Sequence, residues 1–222
     1  MILSNSLHSL PIWHLLTRLG EAQILLPAAA LTLLALLMRA STRKLALIWM
    51  ALIILAAVIT TASKVAFIGW GIGWADINFT GVSGHAMFAA AIYPVLMITL
   101  FSGRWRGAHR QSLVLGCALA LVVGLSRIEV GAHSWSEVLA GWAVGGAVSV
   151  VALALSETSA ILVRPIVPVL LLAWVAVMPF KLHAYPTHFF VTRLAVAMSG
   201  NETPFKRSDL THPARRQNAL VC

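Results

Sequence analysis

Residues 126–137, SRIEVGAHSWSE, place an arginine, a histidine and two glutamates between two strongly apolar stretches. His133 and Glu137 are four residues apart at the start of an apolar run, so on a helix they lie on one face, one turn apart. A carboxylate in that position can accept the ring N–H of the histidine, fix its tautomer and leave the other nitrogen free to react. Arg127 offers a planar guanidinium that matches the oxygens of a phosphate group.

A second polar stretch, residues 64–85, comes before the next apolar run. It ends with GVSGH, which puts Ser83, Gly84 and His85 at the predicted start of a helix. The backbone N–H groups at a helix N-terminus favour an anion, and Lys64 adds a cation at the other end of the stretch. Two histidines, one of them oriented, together with these phosphate-binding groups favour phosphoryl transfer.

The composition is that of an integral membrane protein. The chain has 222 residues, of which 59% are hydrophobic and 10% charged, and its mean hydropathy is +0.88. A soluble domain of this composition would expose too much apolar surface to stay dissolved. The net charge of +9 is clustered beside apolar runs, which favours lipid headgroups as partners and argues against nucleic acid.

Six apolar stretches are candidates for membrane spans, and we expect an all-α, polytopic helical bundle. The five clearest stretches are 22–38, 45–63, 86–101, 112–126 and 134–155. A sixth, 165–180, is shorter and contains two prolines, so five spans plus an interfacial segment is the alternative. We therefore divide the chain into an N-terminal interfacial segment (1–20), a transmembrane bundle (21–180) and a basic C-terminal tail (181–222). Residues 188–198 are a candidate interfacial helix within that tail.

Small residues mark one face of the fifth apolar stretch. Gly141, Gly145, Gly146 and Ala147 lie close together in it. Small side chains let two helices approach closely in a membrane. The pattern predicts a tightly packed helix face.

The basic loops predict the orientation. Residues 39–44 and 102–111 are short and rich in arginine, so we expect both on the cytoplasmic side. Residues 64–85 and 127–133 then lie on the opposite side, because two crossings return the chain to the same membrane face. His85 and His133 are therefore expected to be neighbours. The charge pattern leaves the side of the C-terminal tail open.

The two polar stretches resemble known motifs. SGH at 83–85 followed by S-R-x5-H-x3-E within 126–137 is similar to the second and third motifs of the type 2 phosphatidic acid phosphatase superfamily, a family of membrane lipid phosphatases. The resemblance covers about residues 45–155. The order of the motifs and their placement at the ends of predicted spans match the family.

The chain departs from the family pattern at three places. Glu137 stands where the third motif usually has aspartate, and Val82 replaces a proline of the second motif. The first motif of the family is a lysine, six residues and then Arg-Pro. Lys64 is suitably placed for that lysine, but Gly71 occupies the position of the arginine.

The resemblance implies a mechanism for the site. His133 would attack phosphorus and form a phosphohistidine, Glu137 would orient it, and His85 would protonate the leaving oxygen. The phosphoryl oxygens would be held by Arg127, Lys64, Ser83 and the N–H of Gly84. No metal or other cofactor is implied.

The expected activity is hydrolysis of a lipid phosphate or pyrophosphate, for example of the polyprenyl pyrophosphate or phosphatidic acid type. Asp76 and Asn78 are candidate contacts to the substrate headgroup. We expect a location in the bacterial inner membrane, with the site facing the periplasm or exterior and with membrane lipids as partners. A lipid phosphotransferase with the same site and a catalytically inactive lipid-binding relative are the alternatives. The sequence does not indicate an oligomeric state.

Each candidate also has a purely structural interpretation. Lys64 can extend from a helix end to the interface, and Ser83 with Gly84 can be an ordinary helix cap. Arg127 can pair with Glu129 or Glu137, and His133 with Glu137 is also half of a metal site. His85 can be a histidine at the membrane interface, and Asp76 and Asn78 can simply cap a turn of their loop.

Overall fold

The computed structural model describes residues 11–101, 107–156, 173–174, 177–178 and 187–210. Within them the chain forms seven α-helices and two short 3-10 turns, at Ala40–Thr42 and Arg207–Leu210. The helices are α1 (Pro11–Arg18), α2 (Ala22–Leu37), α3 (Arg43–Trp70), α4 (Gly84–Phe101), α5 (Ala108–Glu129), α6 (Trp135–Ala154) and α7 (Thr187–Ser199). The only β pairing in the described part of the chain is an isolated bridge between Trp74 and Phe79. The predicted all-α class is confirmed.

Four of the described helices, α3 to α6, are long and apolar enough to cross a membrane. Helices α1 and α2 meet at a bend of 41° and together pass the same test, which brings the count in the described part to five. The apolar stretches predicted at 22–38, 86–101, 112–126 and 134–155 correspond to α2, α4, α5 and α6. The sixth, 165–180, lies almost wholly outside the described residues. The fold is that of an integral membrane protein.

The second predicted span ends later than expected. Helix α3 continues past residue 63 to Trp70 and stops at Gly71, whose φ of 67° is left-handed and whose N–H bonds to the Phe67 carbonyl. The predicted end was wrong because a single lysine does not interrupt an otherwise apolar helix, whereas a left-handed glycine does. Lys64 therefore lies inside the last turns of α3 instead of following it.

Helix α4 is the centre of the bundle. It packs mainly against α5 and α6, and 78% of its apolar window is buried, compared with 28–39% for the other three long helices. Those outer helices expose large aliphatic side chains such as Ile54, Val114 and Val150. A soluble protein would bury such side chains, so these faces are suited to contact with lipid.

A proline inside α4 is compensated by two neighbouring helices. Pro94 has no N–H, so the carbonyl of Ala90 lacks its helical donor. The Ser149 hydroxyl of α6 donates to that carbonyl at 2.5 Å, and the Trp49 indole N–H of α3 donates to the next carbonyl, of Ala91, at 2.8 Å. These bonds satisfy two backbone carbonyls inside the membrane bundle and connect α3 and α6 to the central helix.

The close approach of α6 to α4 depends on two of the predicted glycines. A Cβ on Gly141 would lie 2.7 Å from the Ser83 carbonyl oxygen, and one on Gly145 would collide with the Met87 carbonyl and lie 2.9 Å from Ala90 Cβ. Among the residues that the structure describes, a Cβ on Gly146 would meet nothing within 4 Å. The predicted tight face is confirmed for Gly141 and Gly145, and Gly146 lies outside it.

The described part of the C-terminal region packs on α3. The candidate helix at 188–198 is present as α7, which runs along α3. The segment that follows reaches the C-terminal end of α3, where the Phe205 N–H donates to the Ile68 carbonyl at 2.9 Å. The position of α7 at the membrane interface stays a prediction.

The glycine contacts yield a paired stability test. Gly145→Ala should lower the free energy of unfolding by about 1–3 kcal/mol, because the added methyl group forces α6 away from α4. Gly146→Ala is the matched control and should leave stability unchanged or raise it by up to about 1 kcal/mol, because alanine favours a helix. Denaturant unfolding in mixed micelles measures both. Equal effects of the two substitutions would contradict the packing described here.

Candidate active site

A cavity of about 650 Å³ opens at one end of the bundle. Its polar wall comes from the end of α3, the start of α4, the end of α5, the loop before α6 and the segment after α7. These elements contribute Lys64, Gly84, His85, Arg127, His133 and Arg207. The structure thus brings His85 and His133 to one cavity, as the argument from two membrane crossings predicts.

The side chain of His133 is held by Glu137. Its Nδ1 lies 2.6 Å from Glu137 Oε2, across one turn at the start of α6, and the glutamate side chain is 0% exposed. In the neutral imidazole this contact places the proton on Nδ1 and leaves the Nε2 lone pair free. Because His133 also lines the cavity, that arrangement is suited to a nucleophile.

The Glu137 carboxylate accepts several further hydrogen bonds. The Thr80 backbone N–H donates to Oε1 at 2.9 Å, and the Thr80 hydroxyl donates to the same oxygen. Arg207 Nη2 contacts both oxygens, at 2.7 and 2.8 Å. A buried carboxylate is stable when it is paired and saturated with donors. These donors occupy the lone pairs that a metal ion would need, which argues against the half-metal-site interpretation.

A capping box explains why glutamate suits this position. Ser134 is the N-cap of α6, and its hydroxyl accepts the Glu137 N–H at 3.4 Å. Glu137 Oε2 reaches back to accept the Ser134 N–H at 3.2 Å. A glutamate three residues into a helix has the length for this return contact. One side chain thus caps the helix and orients His133.

The environment of His133 keeps its imidazole neutral. The residue lies in the loop between α5 and α6. Burial lowers the pKa of His133, and the positive charges of Lys64 and Arg127 lower it further, whereas the hydrogen bond that its ring donates to Glu137 raises it. The net effect is a pKa below the ordinary histidine value, so the ring is unprotonated at neutral pH.

The side chain of Arg127 is held in place by a residue of α1. It lies in the last turn of α5, and its Nη1 donates to the Thr17 hydroxyl of α1 at 2.7 Å. Its Nε is buried and has no hydrogen-bond partner among the residues the structure describes. The interpretation of Arg127 as the ion-pair partner of Glu137 loses its support, because Arg207 occupies that carboxylate.

Lys64 lies over the start of α4. Its stem packs against Gly81, where a Cβ would be 3.1 Å from Lys64 Cγ and where φ is +141°. A Cβ on Gly84 would lie 3.8 Å from Lys64 Nζ. The ammonium group is therefore placed beside the first N–H groups of α4, where an anion would be attracted by both.

His85 and Ser83 lie at the same helix start. The turn between α1 and α2 approaches His85 closely, since a Cβ on Gly20 would be 3.1 Å from His85 Cβ. The Ser83 N–H donates to the Glu137 carbonyl at 3.0 Å. Its hydroxyl is fully buried without a hydrogen-bond partner in the described part of the chain. Ser83 itself is not part of the cavity wall.

The two candidate headgroup contacts lie in an exposed loop. Asp76 accepts the Trp74 indole N–H at 3.3 Å, and Asn78, with φ 51°, accepts Arg207 Nη1 at 3.0 Å. Neither belongs to the cavity wall. Both have a structural partner, and their contact with a substrate stays a prediction.

Several site residues were missed by sequence reasoning. The sequence indicates Arg207 only as part of a basic tail of undecided side, whereas the structure places its guanidinium on Glu137. Thr80 and Thr17, which hold Glu137 and Arg127, carry no signal in the sequence because each contact spans more than fifty residues. The S-x-x-E spacing of residues 134–137 is a sequence signal for the capping box that holds Glu137.

Comparisons with known proteins identify the family of the chain. A match to the PAP2 superfamily covers residues 70–161. An uncharacterized 22.5 kDa protein from the cps region of Klebsiella pneumoniae is 34% identical over 207 residues, which covers 89% of this chain and 97% of that protein. Phosphatidylglycerophosphatase B of Bacillus subtilis is 33% identical over 72 residues, or 32% of this chain and 36% of the relative. No solved structure matches the chain. The chain belongs to the PAP2 superfamily, a superfamily of phosphatases.

Proposed function

We propose that the protein is a membrane lipid phosphatase that hydrolyses a lipid phosphate or pyrophosphate through a phosphohistidine at His133, without a metal ion. The observation that carries this proposal is the shared cavity of His85 and His133, in which Glu137 binds Nδ1 of His133 and leaves Nε2 free. The name of the Bacillus relative, a phosphatidylglycerophosphatase, supports a phosphorylated lipid as the substrate.

Two steps complete the reaction. In the first, the Nε2 lone pair of His133 attacks phosphorus, the bond from phosphorus to the leaving oxygen breaks, and His85 gives that oxygen a proton. In the second, His85 takes a proton from water, the water oxygen attacks phosphorus, and the P–N bond breaks with its electron pair returning to Nε2. Glu137 stabilises the positive charge on His133 while the phosphoryl group is attached.

The surrounding donors are suited to the phosphoryl oxygens. Arg127 and Lys64 line the cavity, and the N–H groups at the start of α4 add a positive helix end. Arg127 Nε is buried without a partner among the described residues. A buried donor of this kind is costly unless it is satisfied, and an anion bound in the cavity would satisfy it.

The rest of the cavity wall fits a lipid. Apolar side chains of Phe67, Ile68, Phe88 and Phe205 line it beside the cationic groups. An amphiphile can therefore place its headgroup near Arg127 and its chains along the aromatic wall. Arg43 and Lys44 lie at the start of α3 and Arg110 at the start of α5, at the ends opposite those that carry Lys64 and Arg127. This placement supports a site on the periplasmic or exterior face of a bacterial inner membrane.

The proposed hydrolysis is tested with purified protein in detergent. Phosphate release from polyprenyl pyrophosphate, phosphatidic acid, phosphatidylglycerol phosphate and sphingoid phosphates is measured with EDTA present. Turnover of at least one substrate should fall about 10³-fold or more in His133→Ala, because the nucleophile is lost. His14→Ala removes an exposed histidine outside the cavity and should leave the rate unchanged.

Other outcomes separate the alternatives. Transfer of labelled phosphate to a second lipid or to a sugar hydroxyl would identify a phosphotransferase with the same site. Equal rates for the wild type and His133→Ala on every substrate would rule out both enzymes and favour an inactive lipid-binding relative.

The charge state of the two histidines predicts the pH profile. His133 must be neutral to attack, and since its pKa is lowered by burial, the acid limb of kcat/KM should lie below the ordinary histidine value of about 6.5. His85 must be protonated to release the leaving group, so the rate should fall again at high pH and the profile should be bell-shaped. A rate independent of pH from 5 to 9 would contradict these two roles.

A further inference from the structure

The segment after α7 is anchored at the end of α3. The Asn201 side-chain amide donates to the Gly69 carbonyl at 2.5 Å, and the Phe205 N–H donates to the Ile68 carbonyl at 2.9 Å. Leu210 is buried with Phe67 in a small apolar cluster. These contacts fix the backbone on both sides of Arg207.

The glycine at position 71 makes room for this segment. A Cβ on Gly71 would lie 3.0 Å from two ring atoms of Phe205, and the φ of +67° disfavours any other residue. The position that lacks the arginine of the first motif is therefore where Phe205 packs. Two residues further on, the same segment supplies Arg207 to the site.

Arg207 is held between the loop before α4 and Glu137. Its Nη1 donates to the side-chain oxygen of Asn78 at 3.0 Å, and its Nη2 contacts both oxygens of Glu137. The side chain of Arg207 is 39% exposed and that of Glu137 is 0% exposed. A guanidinium fixed on two sides leaves the carboxylate little freedom to rotate away from His133.

We propose that Arg207 is a positioning residue of the phosphoryl-transfer site, which acts on His133 by fixing and partly neutralising the carboxylate of Glu137. This inference rests on the function proposed above. Because Arg207 shares the Glu137 charge with His133, the carboxylate stabilises the imidazolium less and His133 stays neutral at lower pH. The C-terminal segment is thus a part of the active site.

The prediction for pH depends on every charged group near His133. The groups from the packed elements are Glu137 on α6, Lys64 on α3, Arg127 on α5, His85 on α4 and Arg207 on the C-terminal segment. Four of these five are basic, and Glu137 is the one that favours a protonated His133. Removing Arg207 takes away a positive charge and leaves the Glu137 carboxylate to interact with His133 without a competing guanidinium. Both changes raise the pKa of His133 and move the acid limb of activity to higher pH.

The test uses the full-length protein with Arg207→Gln and Arg207→Lys. We expect kcat to fall roughly 10- to 100-fold in Arg207→Gln, by analogy with the loss on removing the residue that orients a metal-ligating histidine. Its acid limb of kcat/KM should lie at higher pH than that of the wild type. In Arg207→Lys, kcat and the acid limb should lie between those of Arg207→Gln and the wild type, because lysine keeps the charge but lacks the planar guanidinium. Arg193→Gln is the matched control, because Arg193 stacks over Phe189 at 4.9 Å outside the cavity wall and should behave as wild type.

A second readout does not depend on turnover. The pKa of His133 is measured by NMR of histidine-labelled protein, with His133→Ala to assign its signal, and it should be higher in Arg207→Gln than in the wild type. If the wild type releases no phosphate, the proposed function fails while this titration still tests the link between Arg207 and His133. An unchanged His133 pKa, or a change in KM alone with kcat and the acid limb unaffected, would overturn the inference. Should Arg207→Gln fail to fold, the same comparison is made with Arg207→Lys.

Discussion

The buried carboxylate of Glu137 is the interaction on which the rest of the site depends. It accepts hydrogen bonds from His133, Thr80, Ser134 and Arg207, so three separate parts of the chain meet at one side chain of α6. A charge inside a membrane bundle costs several kcal/mol unless it is paired. The apolar chain keeps these polar residues together because each one satisfies another, and because the pairing orients a histidine toward the cavity.

Much of this arrangement could be predicted, because the sequence encodes contacts that follow from helix geometry. The spacing of His133 and Glu137 places them one turn apart, and the structure has their side chains 2.6 Å apart. The apolar stretches fix which helix ends share a membrane face, which is why His85 and His133 reach one cavity. The predicted end of α3 was wrong, because the helix ends where Gly71 adopts the left-handed conformation. The pattern of apolar residues does not show which glycine does so.

The rest of the site could not be predicted, because it depends on tertiary contacts with no periodic signature. Arg207 is 70 residues from Glu137 in sequence, and its basic neighbours give it the appearance of a headgroup-binding tail. Gly71 appears in the sequence as a missing phosphate ligand, and only the packing of Phe205 on it shows what the glycine permits. The departures from the family pattern at Gly71 and Glu137 are linked by one segment. Gly71 leaves room for Phe205, and the segment that contains Phe205 also places the guanidinium of Arg207 on Glu137.

The most direct test of the central claim is to identify the phosphorylated residue. The protein is mixed with a radiolabelled lipid phosphate, quenched within a single turnover at alkaline pH, where phosphohistidine is stable, and mapped by mass spectrometry. Label is expected on His133 alone, with the same residue labelled but the yield reduced when Arg207 is replaced by glutamine. Label on another residue, or turnover with no labelled protein at any quench time, would contradict this expectation.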